Sequence, residues 1–159
     1  MEETKLNQYL TFRITDELYA INVSYIKEVL EFQSVSRVPR MPDFMRGVIN
    51  LRGTVVPVLD LKMKFGLGVT EKGIDTSVIV TEISMDNEIV VIGLLADAVY
   101  EVLELEEDEI EAPPYIGTHV NTEFIQGMGK KDDSFIIVLD IHKILTFQEI
   151  QATLSETGN

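Results

Sequence analysis

Short apolar runs rich in Val and Ile, separated by polar or glycine-bearing turns, follow one another along most of this chain, the pattern of a mainly β protein. Residues 9–14 and 19–21 flank the polar turn Thr15-Asp16-Glu17 and predict a hairpin. Residues 47–51 and 54–59 predict a second, turning at Arg52-Gly53, where Gly53 supplies the positive φ of a tight turn. A third is predicted from residues 76–83 and 88–95 around Ser84-Met85-Asp86-Asn87, followed by a strand over 99–105. Pro57 has no amide proton to donate, so its strand is expected at a sheet edge or with a bulge.

Helical spacing is confined to short pieces. Asn22 can cap a helix over residues 23–31, in which Val23, Ile26, Val29 and Leu30 recur at intervals of three and four. Asp60 can cap a helical turn running to Phe65 and stopped by Gly66 and Gly68, and Asp140 repeats that cap before residues 141–145. As a cap, either aspartate replaced by Ala should cost about 0.5–2 kcal/mol.

The second aspartate belongs to a larger repeat. The stretch FMRGVINLRGTVVPVLDL, residues 44–61, returns without a gap 80 residues later as FIQGMGKKDDSFIIVLDI, residues 124–141. Phe44, Gly47, Val58, Leu59 and Asp60 match Phe124, Gly127, Val138, Leu139 and Asp140. The tetrapeptide Glu28-Val29-Leu30-Glu31 likewise returns as Glu101-Val102-Leu103-Glu104. The chain therefore reads as two related halves, and many short strands in repeated halves suggest two small barrels packed together.

Composition narrows the function classes. The 159 residues are 45% hydrophobic and contain no cysteine, which gives ample core and excludes disulfides, thiolate zinc sites and cysteine nucleophiles. Met1 is followed by acidic and polar residues rather than a basic and then apolar run, so no secretory signal is expected, and no apolar run is long enough to span a bilayer. A net charge of −14 argues against nucleic acid and anionic membranes as ligands. Against that background Arg37, Arg40, Arg46 and Arg52 cluster in one short segment, while residues 104–111 form an acidic run expected to be a solvated connector ahead of Pro113-Pro114. The tail over 151–159 is polar and is expected to fray.

The segment Phe44-Met45-Arg46-Gly47-Val48-Ile49-Asn50-Leu51-Arg52-Gly53, followed by Val55-Val56-Pro57-Val58-Leu59-Asp60-Leu61, resembles the signature of the CheW family of bacterial chemotaxis coupling proteins. Tyr19-Ala20-Ile21, the Pro113-Pro114-Tyr115 region and Phe124-Ile125-Gln126-Gly127 agree with it, so the resemblance covers nearly the whole chain. It implies one CheW-like domain over 1–159 made of two SH3-like β-barrel subdomains around a shared core. These are expected over about 15–85 and 86–150, with the N-terminal strand and C-terminal segment crossing between them. It also implies a non-enzymatic adaptor, without cofactor or metal, that joins the cytoplasmic tips of methyl-accepting chemoreceptors to the regulatory domain of the histidine kinase CheA. Such an adaptor is cytoplasmic and recruited to membrane-associated receptor arrays.

Carried over residue by residue, the resemblance assigns receptor binding to Ile26, Glu28, Arg52 and Val102, at the crevice where the two barrels meet. It assigns kinase binding to Ser77 and Val78, and a second, ring-forming contact to Glu111, Tyr115 and Ile116. Ring partners in this family can carry a basic residue where this chain has Glu111, so charge complementarity there is rearranged or lost. From the residues alone, Ile26 and Val102 also fit ordinary core stripes, and Arg52 also fits an internal ion pair with Glu28.

A catalytic reading finds little in the sequence. His119 and His142 lie in no metal-ligand spacing, and Gly127-Met128-Gly129-Lys130-Lys131 lacks the spacing of a phosphate loop and falls where its repeat partner is a strand. Three readings stay open on the sequence: a chemotaxis adaptor, a coupling protein of a non-chemotactic array built from the same parts, and a ligand-binding or enzymatic barrel.

Overall fold

A computed structural model describes residues 7–37, 39–85, 87–112 and 122–144. Its strands are β1 (Gln8–Ile14), β2 (Glu17–Asn22), β3 (Ile26–Glu31), β4 (Met45–Leu51), β5 (Thr54–Asp60), β6 (Ser77–Met85), β7 (Glu88–Ala96), β8 (Ala98–Glu104), β9 (Ile125–Lys131) and β10 (Ser134–Leu139). Two short helices, α1 (Leu61–Lys64) and α2 (Ile141–Ile144), follow β5 and β10. The strands form two five-stranded mixed sheets, in the orders β8-β1-β2-β10-β9 and β3-β6-β7-β5-β4.

The two orders match strand for strand, and the sequence repeat explains why. The longer repeat is β4-β5-α1 in one sheet and β9-β10-α2 in the other, and the shorter repeat lies in the edge strands β3 and β8. In both sheets the strand before the helix pairs in parallel, β5 with β7 and β10 with β2. The β1–β2 hairpin thus takes in its sheet the place that β6–β7 takes in the other, so the chain is a permuted duplication. Sheet membership accordingly cuts the chain differently from a division at 85/86: β2 joins β8–β10, and β7 joins β3–β6.

The repeated glycines are required by a second shared contact. The segment after each edge strand bridges back to the hairpin, Ser36 to Val48 and Glu111 to Met128. A Cβ on Gly47 would lie 2.4 Å from the Ser36 carbonyl oxygen, and one on Gly127 would lie 2.7 Å from that of Glu111. Only glycine admits so close a backbone approach, and Gly47 also holds φ at 150°.

Side-chain alternation sorts the core into three parts. A central cluster between the sheets joins Phe12, Tyr19 and Ile21 to Leu59, Ile79, Ile92 and Leu94, with Leu61, Ile141 and Ile144 of the helices. Each sheet covers a smaller cluster of its own, one holding Tyr9, Ala20, Leu105, Ile136 and Val138, the other Phe32, Val58, Val78, Val80 and Leu95. Val58 and Leu59 thus face opposite sides, as do Val138 and Leu139. Strands buried on both faces read as continuous apolar runs rather than as clean alternation.

Two local expectations are corrected. Residues 23–31 are not a helix: Val23–Tyr25 make a single 3-10 turn, capped as expected by Asn22, whose side chain accepts from the Ser24 amide at 2.9 Å, and β3 follows. Glu28 and Leu30 pair with Val80 and Val78 on the side of the second sheet's own cluster, a register shift turns Ile26 to the central core instead, and Val29 is exposed where a helical reading needs it buried. Pairing with the Val-Ile-rich β6 outweighs a helical periodicity carried by β-branched residues. Pro57 is not on an edge strand, since β5 lies between β7 and β4. Its missing amide is tolerated because the ladder to β7 begins one residue later, at Val58, and the nearby bulge lies in β4 between Met45 and Gly47.

Candidate functional site

Arg52 occupies the tip of the β4–β5 hairpin. Leu51 pairs with Thr54, and Arg52 and Gly53 adopt φ of 51° and 90°, the two positive values of a type I′ turn. The turn is tied at its base, where the Gly53 amide donates to Asn50 Oδ1 at 2.8 Å. Both terminal guanidinium nitrogens of Arg52 donate to the carboxylate of Glu28 on β3. β3 and β4 are opposite edges of one sheet, so this ion pair links the two edges through side chains. Glu28 is the less exposed partner, and its hydrogen bond holds the Arg52 guanidinium above its already high ordinary pKa. The pair places charge at the hairpin tip, and the exposure of Arg52 leaves donors open to a second acidic partner.

The other residues of the expected receptor crevice are placed as follows. Ile26 is half-buried and packs against the central core, and a register shift between it and Glu28 leaves Glu28 on the other face of β3, opposite Val80. Val102 is half-exposed on β8, the edge of the other sheet, in register with Leu10. It occupies the repeat position of Val29, and both valines face solvent.

Ser77 opens β6, its hydroxyl donating to the Asp75 carbonyl at 3.0 Å, and lines an open groove of about 600 Å³ with the polar Glu31, Asp75 and Thr76 and with Ile74, Ala98, Val99 and Tyr100. Val78 does not belong to that surface. Its side chain is 2% exposed, sits in the second sheet's own core and fills the space above Gly93, so it presents almost no side-chain surface to a partner. The exposed apolar groups of the groove are instead Ile74, at 92% exposure, and Tyr100, whose hydroxyl accepts from Arg13 Nε at 3.1 Å. The sequence reading passed over both. A lone isoleucine between Gly73 and Asp75 in a polar loop was the available signal.

Glu111 is exposed, and its backbone is clamped to Met128 by reciprocal hydrogen bonds of 2.9 and 2.7 Å. It borders a shallow cleft with Asp108, Glu109, Lys130 and the exposed ring of Phe135. Phe135 was also missed, although its repeat counterpart Val55 is exposed at the same register. Tyr115, Ile116 and His119 lie outside the described residues. His142 meets the Tyr25 ring edge-on at 5.2 Å and lies 4.0 Å from Asp140, and the glycine-rich 127–131 segment is the edge strand β9.

Asp60 and Asp140 are both caps but are not equivalent. Asp140 accepts from the His142 amide at 3.1 Å and is partly exposed. Asp60 is fully buried and accepts from the Lys62 and Met63 amides, the Thr70 amide and hydroxyl (2.9 and 2.7 Å) and Arg46 Nη1 (3.1 Å). It fastens α1, the following loop and β4 together, a structural role that leaves no carboxylate edge for chemistry.

Two five-stranded sheets around a common core, with an exposed charged hairpin tip and open grooves at their margins, suit a protein-interaction module. A family model described as the CheW-like domain matches residues 8–149, so the chain belongs to the CheW-like family of chemotaxis scaffolding adaptors, which are not enzymes. The chain is 32% identical over 148 residues to the chemotaxis protein CheW of Klebsiella aerogenes, covering 93% of this chain and 87% of that protein. It is 33% identical over 141 residues to the chemotaxis protein CheW of Thermotoga maritima, covering 87% of each. Among solved structures, the scaffolding protein TtCheW from Thermoanaerobacter tengcongensis matches with a TM-score of 0.79 at 36% identity, covering 90% of each chain.

Proposed function

We propose that this chain couples the cytoplasmic tips of methyl-accepting chemoreceptors to the regulatory domain of a CheA-type histidine kinase, as a cytoplasmic adaptor recruited to membrane-associated arrays. The observation that carries this reading is the separation of two kinds of surface on one rigid core. The Glu28–Arg52 tip, with Ile26 on the same strand and Val102 on the edge of the other sheet, offers oriented charge beside apolar side chains, which suits a helical receptor hairpin. The groove around Ile74, Ser77 and Tyr100 offers a second face for the kinase, polar with two exposed apolar side chains, and the Glu111 cleft is a further kinase contact, while the contact at Tyr115 and Ile116 rests on the family resemblance alone. Val78, next to Ser77 on β6, lies in the core beneath the kinase face. Among the described residues no helix is long and apolar enough to cross a membrane, so recruitment acts through the receptors.

Reconstitution tests the proposal. With purified kinase and receptor-bearing membranes, adding this protein should change kinase autophosphorylation, and it should show no phosphotransfer alone. Kinase output that ignores its addition, or turnover by the isolated chain, would overturn the reading.

A further inference from the structure

We propose that the pocket walled by Arg37 and Arg40 is a separate docking site for a carboxylate-rich peptide segment of a protein partner. The pocket is an open cleft of about 550 Å³ at the start of β4, lined by these two arginines and by Pro39, Met41, Pro42, Asp43, Met45, Arg46, Met63 and Val69. Its place distinguishes it from the receptor tip, because Arg46 near the start of β4 and Arg52 in the turn after it are six positions apart, about 20 Å along an extended strand.

The charges around the pocket are unequally committed. Arg46 is used internally, its Nη1 donating to Asp60 at 3.1 Å and to the Thr70 carbonyl at 2.8 Å, with its guanidinium 5.9 Å from the Phe32 ring centre. Arg37 and Arg40 are exposed and make no hydrogen bond or ion pair with any described residue. Asp43 is the one carboxylate in the lining, against two uncommitted guanidinium groups. In a chain of net charge −14 this is a local reversal of sign, and it selects an acidic occupant from acidic and basic candidates alike.

The remaining lining selects a peptide over a small anion. Met41, Met45, Met63 and Val69 provide an apolar floor that a free oxyanion does not use, and methionines adapt to varied apolar side chains. The rim is also stiffened: Pro39 and Pro42 fix their own φ, Arg40 is held at φ 65°, and the Met45 amide closes onto the Pro42 carbonyl at 2.9 Å. A segment that alternates acidic with apolar side chains would meet rim and floor together.

The test uses the full chain and a fluorescein-labelled nonapeptide of three Glu-Glu-Leu repeats, followed by fluorescence anisotropy. The expected result is saturable single-site binding, at least tenfold weaker for a Gln-Gln-Leu peptide and for Arg37→Glu/Arg40→Glu, and unchanged for Arg52→Glu. The milder Arg37→Gln/Arg40→Gln variant should weaken binding in the same direction, which guards against misfolding of the charge reversal. In the wild type, methyl resonances of Met41, Met45 and Met63 should shift on peptide addition. Binding by both double variants as tight as that of the unaltered protein, no saturation, or unshifted methyl groups would overturn the proposal. Displacement of the peptide by millimolar inorganic phosphate as effectively as by unlabelled peptide would overturn it in favour of a small-anion site.

Discussion

Replacing Asp60 with Ala should destabilise the protein by about 3 kcal/mol, whereas the same change at Asp140 should cost about 1 kcal/mol. At Asp140 the substitution removes one helix-cap hydrogen bond from a partly exposed position. At Asp60 it also strips the Thr70 amide and hydroxyl of their acceptor and leaves Arg46 without its carboxylate. Breaking a buried pair typically costs about 3–5 kcal/mol, and the lower end applies because the Arg46 side chain keeps 23% of its exposure and can hydrate in part. Urea unfolding at neutral pH measures the difference. With a slope of about 2 kcal/mol/M, the midpoint should fall by about 1.5 M for Asp60→Ala and about 0.5 M for Asp140→Ala. Equal losses, or a larger loss at Asp140, would refute the claim that the duplicated aspartates have diverged into a buried clasp and a simple cap.

Three further outcomes are expected. Gly47→Ala, which drives a Cβ to 2.4 Å from the Ser36 oxygen and strains φ, should cost about 2–4 kcal/mol in thermal unfolding, while Gly53→Ala, with no atom within 4 Å of its Cβ, should cost about 1 kcal/mol. Burial first, and then the nearby Glu17 carboxylate, raise the pKa of the Tyr19 phenol. Because the folded value lies above the unfolded one, the resulting stability is full below the ordinary tyrosine pKa of about 10 and is lost above it. An ultraviolet titration should accordingly find one of the five tyrosines ionising only as the protein unfolds. Val78→Asp should unfold the protein, seen as loss of near-ultraviolet circular dichroism, rather than remove kinase binding alone, since it places a carboxylate in a sealed apolar cluster.

The fold was legible where the sequence repeats itself. The match of residues 44–61 to 124–141 foretold two hairpin-helix units and both aspartate caps, and the turn at Arg52-Gly53 followed from its glycine. Two features escaped because they are decided by pairing across the fold. Residues 26–31 carry apolar positions that fit a helix as well as a strand, and only the presence of β6 alongside selects the strand. Assignment of β1–β2 to the far sheet depends on a permutation that no local pattern records. At the candidate site, the Glu28–Arg52 pair was foreseen as an alternative to a partner contact, and the geometry now permits both. Burial of Val78 and exposure of Ile74 could not be read from residue type, since both are β-branched and apolar and differ only in which side of the chain meets the core.

The central claim, two separable partner surfaces on one adaptor, is tested most directly by titrating Arg52→Glu and Ile74→Asp against the isolated receptor tip and the isolated kinase regulatory domain. Both substituted side chains are exposed, so thermal stability should remain near that of the unaltered protein. Arg52→Glu turns the tip's ion pair with Glu28 into repulsion and should weaken receptor binding by at least about tenfold while sparing the kinase domain. Ile74→Asp should do the converse. Equal weakening of both partners by either variant, or loss of receptor binding through Ile74 rather than Arg52, would contradict the account.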